Sequence, residues 1–378
     1  MNLINNRILS GIYIHIPFCK SRCAYCDFYS TTLLNKRSEY VETLKQELKQ
    51  RKDYLTDKNI KTIYFGGGTP SLLTANQISE IISVIKDLYI VETNAEITLE
   101  ANPNDINSRY LQELKKVEIN RLSMGVQSFD DRLLQLIGRR HSAQEAIAAV
   151  GIAQEIGFDN ISIDLIYGLP TQTITDIEQD IEQAVRLNVQ HISTYCLSYE
   201  KETRLTKLLE KGEIKHTDED TLNMMYALLV KLLSENGFER YEISNFARPN
   251  YRSRHNSSYW KGTEYIGIGA AAHSYNGQTR QWNISDIKNY IDGIHSSKEI
   301  FETEQLTEQD KYNEQVMLSL RTAEGIDLSQ LSDQNREYCF NQATKFIKQK
   351  LIISRDEHLI ATDAGINILN YITEHLMQ

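Results

Sequence analysis

The sequence predicts an α/β fold: a parallel sheet with right-handed crossovers, open or closed into a barrel, followed by a small C-terminal winged-helix-like α+β module. Three observations predict it. Six apolar, β-favouring runs alternate with helical periodicities between residues 11 and 200. Glycine, cysteine and polar residues gather at or just beyond the ends of those runs, the edge at which α/β folds hold ligands. After residue 200 the alternation stops.

The first strand, Ile12 to Ile16, is broken by Pro17, and the loop to Phe28 follows. Val41, Leu44 and Leu48 fall at helical spacing among charged residues. The strand Thr62 to Phe65 ends in Gly66-Gly67-Gly68-Thr69-Pro70, and Ile78, Ile81, Ile82 and Ile85 mark the next helix. Ala95 to Glu100 is a strand closed by Asn102-Pro103, with a short helix at Leu111, Leu114 and Val117. The strand Arg121 to Val126 ends at Gln127, a helical segment covers Leu133 to Ile137, and the next helix runs from Ala146 to Ile156, where Gly157 stops it. The strand Asn160 to Ile166, a helix from Thr173 to Leu187 and the strand His191 to Leu197 complete the alternation. Beyond it come a long helix, Glu219 to Glu235, and a mixed segment, Tyr241 to Ala272. From about Thr307 the order is helix, helix, strand (Leu351 to Arg355), strand (His358 to Ala361), helix. The expected units are residues 1–200 as the core, 201–300 as a mixed segment over its mouth and 301–378 as the C-terminal module.

With 378 residues, 41% of them hydrophobic, the chain can bury a large core. A net charge of −10 without a long basic block argues against a nucleic-acid partner. No stretch reaches the roughly 20 apolar residues that span a bilayer, and Met1 to Ser10 lacks the pattern of a signal peptide. Five cysteines, three on one loop, form no disulfide framework, so a reduced cytoplasmic protein is expected. Buried packing is the default for Cys196 and Cys339.

Cys19, Cys23 and Cys26 have the spacing C-x3-C-x2-C. Three thiolates on one loop suit a soft metal and fall one short of a closed four-ligand set. A zinc ion completed by His15, plain packing, or a [4Fe–4S] cluster with one open iron all fit that spacing; the flanking Phe18, Tyr25 and Phe28 favour a shielded cluster. The Gly66–Pro70 loop is a tight strand-to-helix turn or a place for close ligand approach. It has neither the lysine of a P-loop nor the G-x-G-x-x-G pattern, which disfavours nucleotide phosphate.

Together, Y-I-H-I-P-F-C-x3-C-x-Y-C, G-G-G-T-P and H-N-x-x-Y-W resemble the radical S-adenosylmethionine superfamily, and within it the oxygen-independent coproporphyrinogen dehydrogenase-like group. The resemblance implies an incomplete (three-quarter) β/α barrel of six β/α units with a cluster at its mouth and S-adenosylmethionine chelating the open iron. It implies Cys19, Cys23 and Cys26 as metal ligands, with Tyr13 and Tyr25 beside them. Gly67, Gly68 and Thr69 would meet the methionine amino end, Glu100 the ammonium and Arg139 the carboxylate, while Gln127 and Asp164 suit the ribose hydroxyls.

Two features depart from the dehydrogenases: Phe28 stands where they carry a fourth cysteine, and twelve residues precede Tyr13 where they have a longer extension. Both match the heme-chaperone relatives, the HemW group. That resemblance implies heme as a further cofactor and an unidentified heme-acceptor protein as partner, with His255 in H-N-S-S-Y-W as heme ligand. His273 is a weaker ligand candidate, and Arg252 and Arg254 stand near enough in sequence to meet propionates, though solvated arginines are the plainer reading. The expected function is a heme chaperone; the enzyme alternative is oxidative decarboxylation of coproporphyrinogen III, and a third is another radical reaction such as methyl transfer. A homodimer and peripheral membrane contact stay open.

Overall fold

The computed structural model describes residues 10–378; the reading of Met1 to Ser10 lies, but for Ser10, outside the described residues. The six expected strands are present: β1 (Ser10–Ile16), β2 (Asn59–Gly67), β3 (Ile90–Ala101), β4 (Arg121–Gln127), β5 (Ile161–Tyr167) and β6 (His191–Cys196). Each pairs in parallel with the next in chain order. The crossovers carry α1 (Arg37–Gln50), α2 (Ala75–Leu88), α3 (Ser108–Lys116), α4 (Asp131–Leu136), α5 (Ala143–Glu155) and α6 (Ile174–Arg186). This is the six-unit incomplete barrel.

Why the strands sit where they do is visible in their burial. On β1, Ile12, Ile14 and Ile16 are all 0% exposed on one face and Gly11 and His15 are buried on the other, as a parallel strand covered on both faces requires. Each such isoleucine side chain contributes about 1.5–3 kcal/mol through burial. Helix starts are set by side chains: Thr74 with Gln77, Ser142 with Glu145 and Thr173 with Asp176 form reciprocal capping boxes on α2, α5 and α6.

The segment after residue 200 does not form a separate cover. It contains α7 (Arg204–Glu210), which was not expected, then α8 (Glu219–Glu235), β7 (Glu239–Arg240), β8 (Asn245–Ala247), α9 (Arg254–Trp260), β9 (Tyr265–Ile268), β10 (His273–Tyr275), β11 (Thr279–Asn283), α10 (Ile287–His295) and β12 (Phe301–Gln305). β9 pairs in parallel with β1 and β8 antiparallel with β6, so the segment extends the barrel sheet at both edges, in the order β12-β11-β10-β9-β1-β2-β3-β4-β5-β6-β8-β7. The C-terminal module has its own core and a three-stranded sheet: α11 (Glu308–Ser319), β13 (Ile326–Asp327), α12 (Asp333–Lys348), β14 (Ile352–Arg355), β15 (His358–Ala361), α13 (Asp363–Ile366) and α14 (Leu369–Leu376).

A buried polar network fixes β9 to the barrel. Glu47, 0% exposed, pairs with Arg51 at 3.0 Å and accepts from Gly269 N–H at 2.8 Å, Asn283 Nδ2 at 2.8 Å and Tyr290 Oη at 2.5 Å. Truncating one partner strands the others without water. Glu47→Ala is therefore expected to cost about 3 kcal/mol or more, read as a lower thermal midpoint by circular dichroism; an unchanged midpoint would contradict this network's role.

Candidate functional site

The cysteine loop is held at both ends and in its middle by backbone bonds. Cys19 N–H donates to Thr31 O at 2.9 Å, Thr31 N–H to Pro17 O at 2.7 Å and Ala24 N–H to Ile137 O at 2.8 Å. Phe18, fully buried, sets its ring edge-on to Tyr40 at 5.4 Å. The three thiols are left half-buried. Burial pushes the Cys19 thiol up and takes Cys26 to about 11, so the positive charge of bound iron is what would keep them as thiolates. Thr69 Oγ1 donates to Cys19 Sγ at 3.5 Å and Arg139 Nη1 to Cys23 Sγ at 3.4 Å, tuning hydrogen bonds of the kind cluster sulfurs receive.

No three His, Cys, Asp or Glu side chains among the described residues come close enough to share one metal ion. His15, the proposed fourth zinc ligand, has both ring nitrogens occupied: Nδ1 with Tyr13 Oη at 3.1 Å and Nε2 with Tyr29 O at 3.1 Å.

A cavity of about 430 Å³ opens beside the thiols and is lined by Tyr25, Gly67, Gly68, Thr69, Glu100, Gln127, Arg139 and Asp164 as well as the three cysteines. Glu100 accepts from Tyr64 Oη at 2.8 Å and from Gly67 N–H at 3.1 Å. Burial, the largest influence, raises Glu100 to about 7; Asp164 also raises it, whereas the Tyr64 and Gly67 bonds and Arg121 pull it down. Burial likewise raises Asp164, against hydrogen bonds from Ser193 and Ser123. Arg139 is clamped by Cys23 and the Gly125 carbonyl, and its Nε–H is buried without a partner. Glu100, Asp164 and Arg139 form no ion pair among the described residues, although all three face one cavity. Unpaired charges of both signs around an enclosed space fit a bound zwitterion that carries an extra cation.

The glycine loop forms the tight strand-to-helix turn, one of the two readings of its sequence. A Cβ on Gly68 would lie 2.8 Å from Pro17 C and 2.9 Å from Phe18 O, and one on Gly67, at φ +110°, would meet the His15 ring at 2.5 Å. The glycines admit the chain's own backbone and rings. Gly68 N–H is bonded to Ile16 O and Gly67 N–H to Glu100, so what the two glycines can offer a ligand is carbonyl oxygen, an acceptor suited to an ammonium group. Gln127, at φ +73°, sits where the β4–β5 register slips; left-handed backbone on a non-glycine costs of order 1 kcal/mol and aims its side chain at the cavity edge.

Tyr13, Asp164 and His255 take positions that their neighbours fix. Tyr13 does not line this cavity; its ring stacks on Tyr64 at 6.1 Å and faces a second, larger cavity. Asp164 lies inside β5, within the strand read from the sequence, beside Ser193 and Gly125. His255, the expected heme ligand, is 1% exposed, with Nδ1 on Thr62 Oγ1 and Nε2 on Tyr259 Oη, each at 2.8 Å. Burial, helped by Arg121, drives His255 down to about 3, so it stays neutral and structural. Sequence reasoning missed Tyr64, Ser123, Ser193 and the fully buried Arg121, whose Nε and Nη1 have no partner among the described residues. Their alternation along the strands was the available signal.

Known proteins match this architecture. The Radical SAM superfamily model covers residues 13–184 and the HemN C-terminal domain model residues 306–368. Over 358 residues the chain is 34% identical to a Bacillus subtilis protein named heme chaperone HemW, covering 93% of this chain and 94% of that one. A Lactococcus lactis protein of the same name is 34% identical, with 97% of each chain covered. The structure of Escherichia coli coproporphyrinogen III oxidase (HemN), described as a radical SAM enzyme, superposes with a TM-score of 0.83 over 98% of this chain and 90% of that one, at 24% identity, a likeness of fold. The chain belongs to the radical SAM superfamily and, within its HemN-like group, to the family whose members carry the name heme chaperone HemW.

Proposed function

We propose that this protein is a cytoplasmic heme chaperone that holds a [4Fe–4S] cluster on Cys19, Cys23 and Cys26, binds S-adenosylmethionine beside it, and passes heme to an acceptor protein. The observation that carries this is likeness along nearly the whole chain to relatives bearing that name, at 34% identity. No helix among the described residues is long and apolar enough to cross a membrane.

The chain's own residues supply the binding. Three thiols hold the iron and leave one position open. Carbonyls of the Gly67–Thr69 turn and the Glu100 carboxylate accept from the ammonium, Arg139 donates to the carboxylate, and Gln127 and Asp164 meet the ribose. When bound, the cluster and S-adenosylmethionine supply one-electron chemistry that the protein only orients. Phe28, 66% exposed at the position of the dehydrogenases' fourth cysteine, lies against this cavity and against the larger one. That leaves a bare ring, where the enzyme alternative calls for a thiol.

The alternative is tested by incubating anaerobically reconstituted protein with coproporphyrinogen III, S-adenosylmethionine and a reductant, with mass spectrometry for decarboxylated product. No protoporphyrinogen IX is expected; its formation over many turnovers would overturn the chaperone reading.

A further inference from the structure

A cavity of about 1670 Å³ runs between the β1 and β9–β11 side of the barrel, helix α9 and the C-terminal module. It is far larger than the roughly 300–1,000 Å³ of an ordinary small-molecule pocket. Its charge is opposite to that of the chain: seven lysine and arginine side chains line it against four carboxylates, in a protein of net charge −10. Tyr13, Tyr29, Tyr259, Trp260 and Tyr275 supply ring surface, and the exposed Phe28 ring joins them. A broad, flat, aromatic dianion suits such a lining.

Three histidines line the cavity. Both nitrogens of His15 are engaged; His358 has Nδ1 bonded to Asp356 O at 2.8 Å and stands at the start of β15, the central strand of the C-terminal sheet, away from the aromatic wall of the barrel. His273 differs: its ring is exposed to the cavity and makes no hydrogen bond among the described residues. It stands on β10, paired with Trp282 of β11, the rings 6.3 Å apart. Its backbone is fixed too, since a Cβ on Gly267 would fall 2.0 Å from the His273 carbonyl oxygen. Rigid strand placement is what a metal ligand needs.

Building on the heme-carrier reading, we infer that this larger cavity would hold heme with His273 as the side chain that binds its iron, while His255 only braces the wall. Arg22 and Lys61, cavity-lining cations without an ion pair among the described residues, are the natural donors to the propionates. Arg22, Asp27 and Phe28 line both cavities, so the two ligands share one wall formed by the cysteine loop. Heme loading and cluster loading would each feel the position of Phe28.

The test is anaerobic titration of the reconstituted full-length chain with hemin, followed by its Soret band, for wild type, His273→Ala and His255→Gln, with iron-free protoporphyrin IX as a second probe. His273→Ala is expected to weaken hemin at least tenfold and shift the Soret band, while protoporphyrin IX binds as to wild type. His255→Gln is expected to keep the wild-type hemin spectrum. Wild-type affinity and spectrum in His273→Ala would overturn the ligand assignment; hemin binding by no variant, wild type included, would instead sink the heme-carrier reading on which it rests. Because His273 is exposed and unbonded, its alanine variant should keep the wild-type melting curve, separating ligand loss from unfolding.

Discussion

Cys19→Ala will leave the anaerobically reconstituted protein with less than about one iron per chain, where the wild type holds about four. With three protein thiolates and one position given to a small molecule, losing one thiolate leaves two, too few to retain a cube. Cys23→Ala and Cys26→Ala should behave alike. The loop itself survives the change, because its shape comes from the Cys19–Thr31, Thr31–Pro17 and Ala24–Ile137 backbone bonds and from the buried Phe18 ring. Iron assay and circular dichroism on the same sample therefore separate the outcomes: full iron in Cys19→Ala would remove the cluster from this loop, while lost iron with native dichroism supports it.

The second large effect is a pH dependence of S-adenosylmethionine binding. Burial raises Glu100 to about 7, so near neutral pH a substantial share of the free protein carries it protonated. A protonated carboxyl offers a weaker site to an ammonium group, so binding must first release that proton. Affinity is thus greatest above about pH 8 and falls on acidification through 7, by up to about tenfold per pH unit. Glu100→Gln should flatten this slope and weaken binding at pH 8 by at least about tenfold, the loss expected when one partner of a desolvated charge pair is removed. Isothermal titration between pH 6 and 8.5 checks both. A slope that survives unchanged in Glu100→Gln would assign the titration to another group.

How much of this was legible in the sequence follows the range of the interactions concerned. Strands β1 to β6 and their helices were readable because each is specified by its own apolar pattern and by local capping residues such as Thr74 and Ser142. The cysteine loop was readable because three thiols within eight residues have few other uses. The pairing of β9 with β1, some 250 residues apart, left no local signature; it depends on Gly267 and Gly269 admitting neighbouring backbone and on Glu47 satisfying a remote N–H. The bonding of His255 was illegible for the same reason: its partners Thr62 and Tyr259 come together only in the fold, and a histidine among aromatic residues reads alike whether its nitrogens are free or bonded. Tyr64, Ser123, Ser193 and Arg121 were missed since the two-residue alternation of their strands was their one signal, and it does not mark which inward polar residue serves a site. The seven-residue α7 was missed because so short a helix shows hardly two turns of periodicity.

Heme binding is the claim on which the rest turns, and one titration tests it most directly: hemin added anaerobically to the reconstituted full-length chain, with stoichiometry read from the Soret band. One hemin per chain with a dissociation constant of about micromolar or tighter is the predicted result, whereas hemin that stays in its free form at stoichiometric concentrations would contradict it.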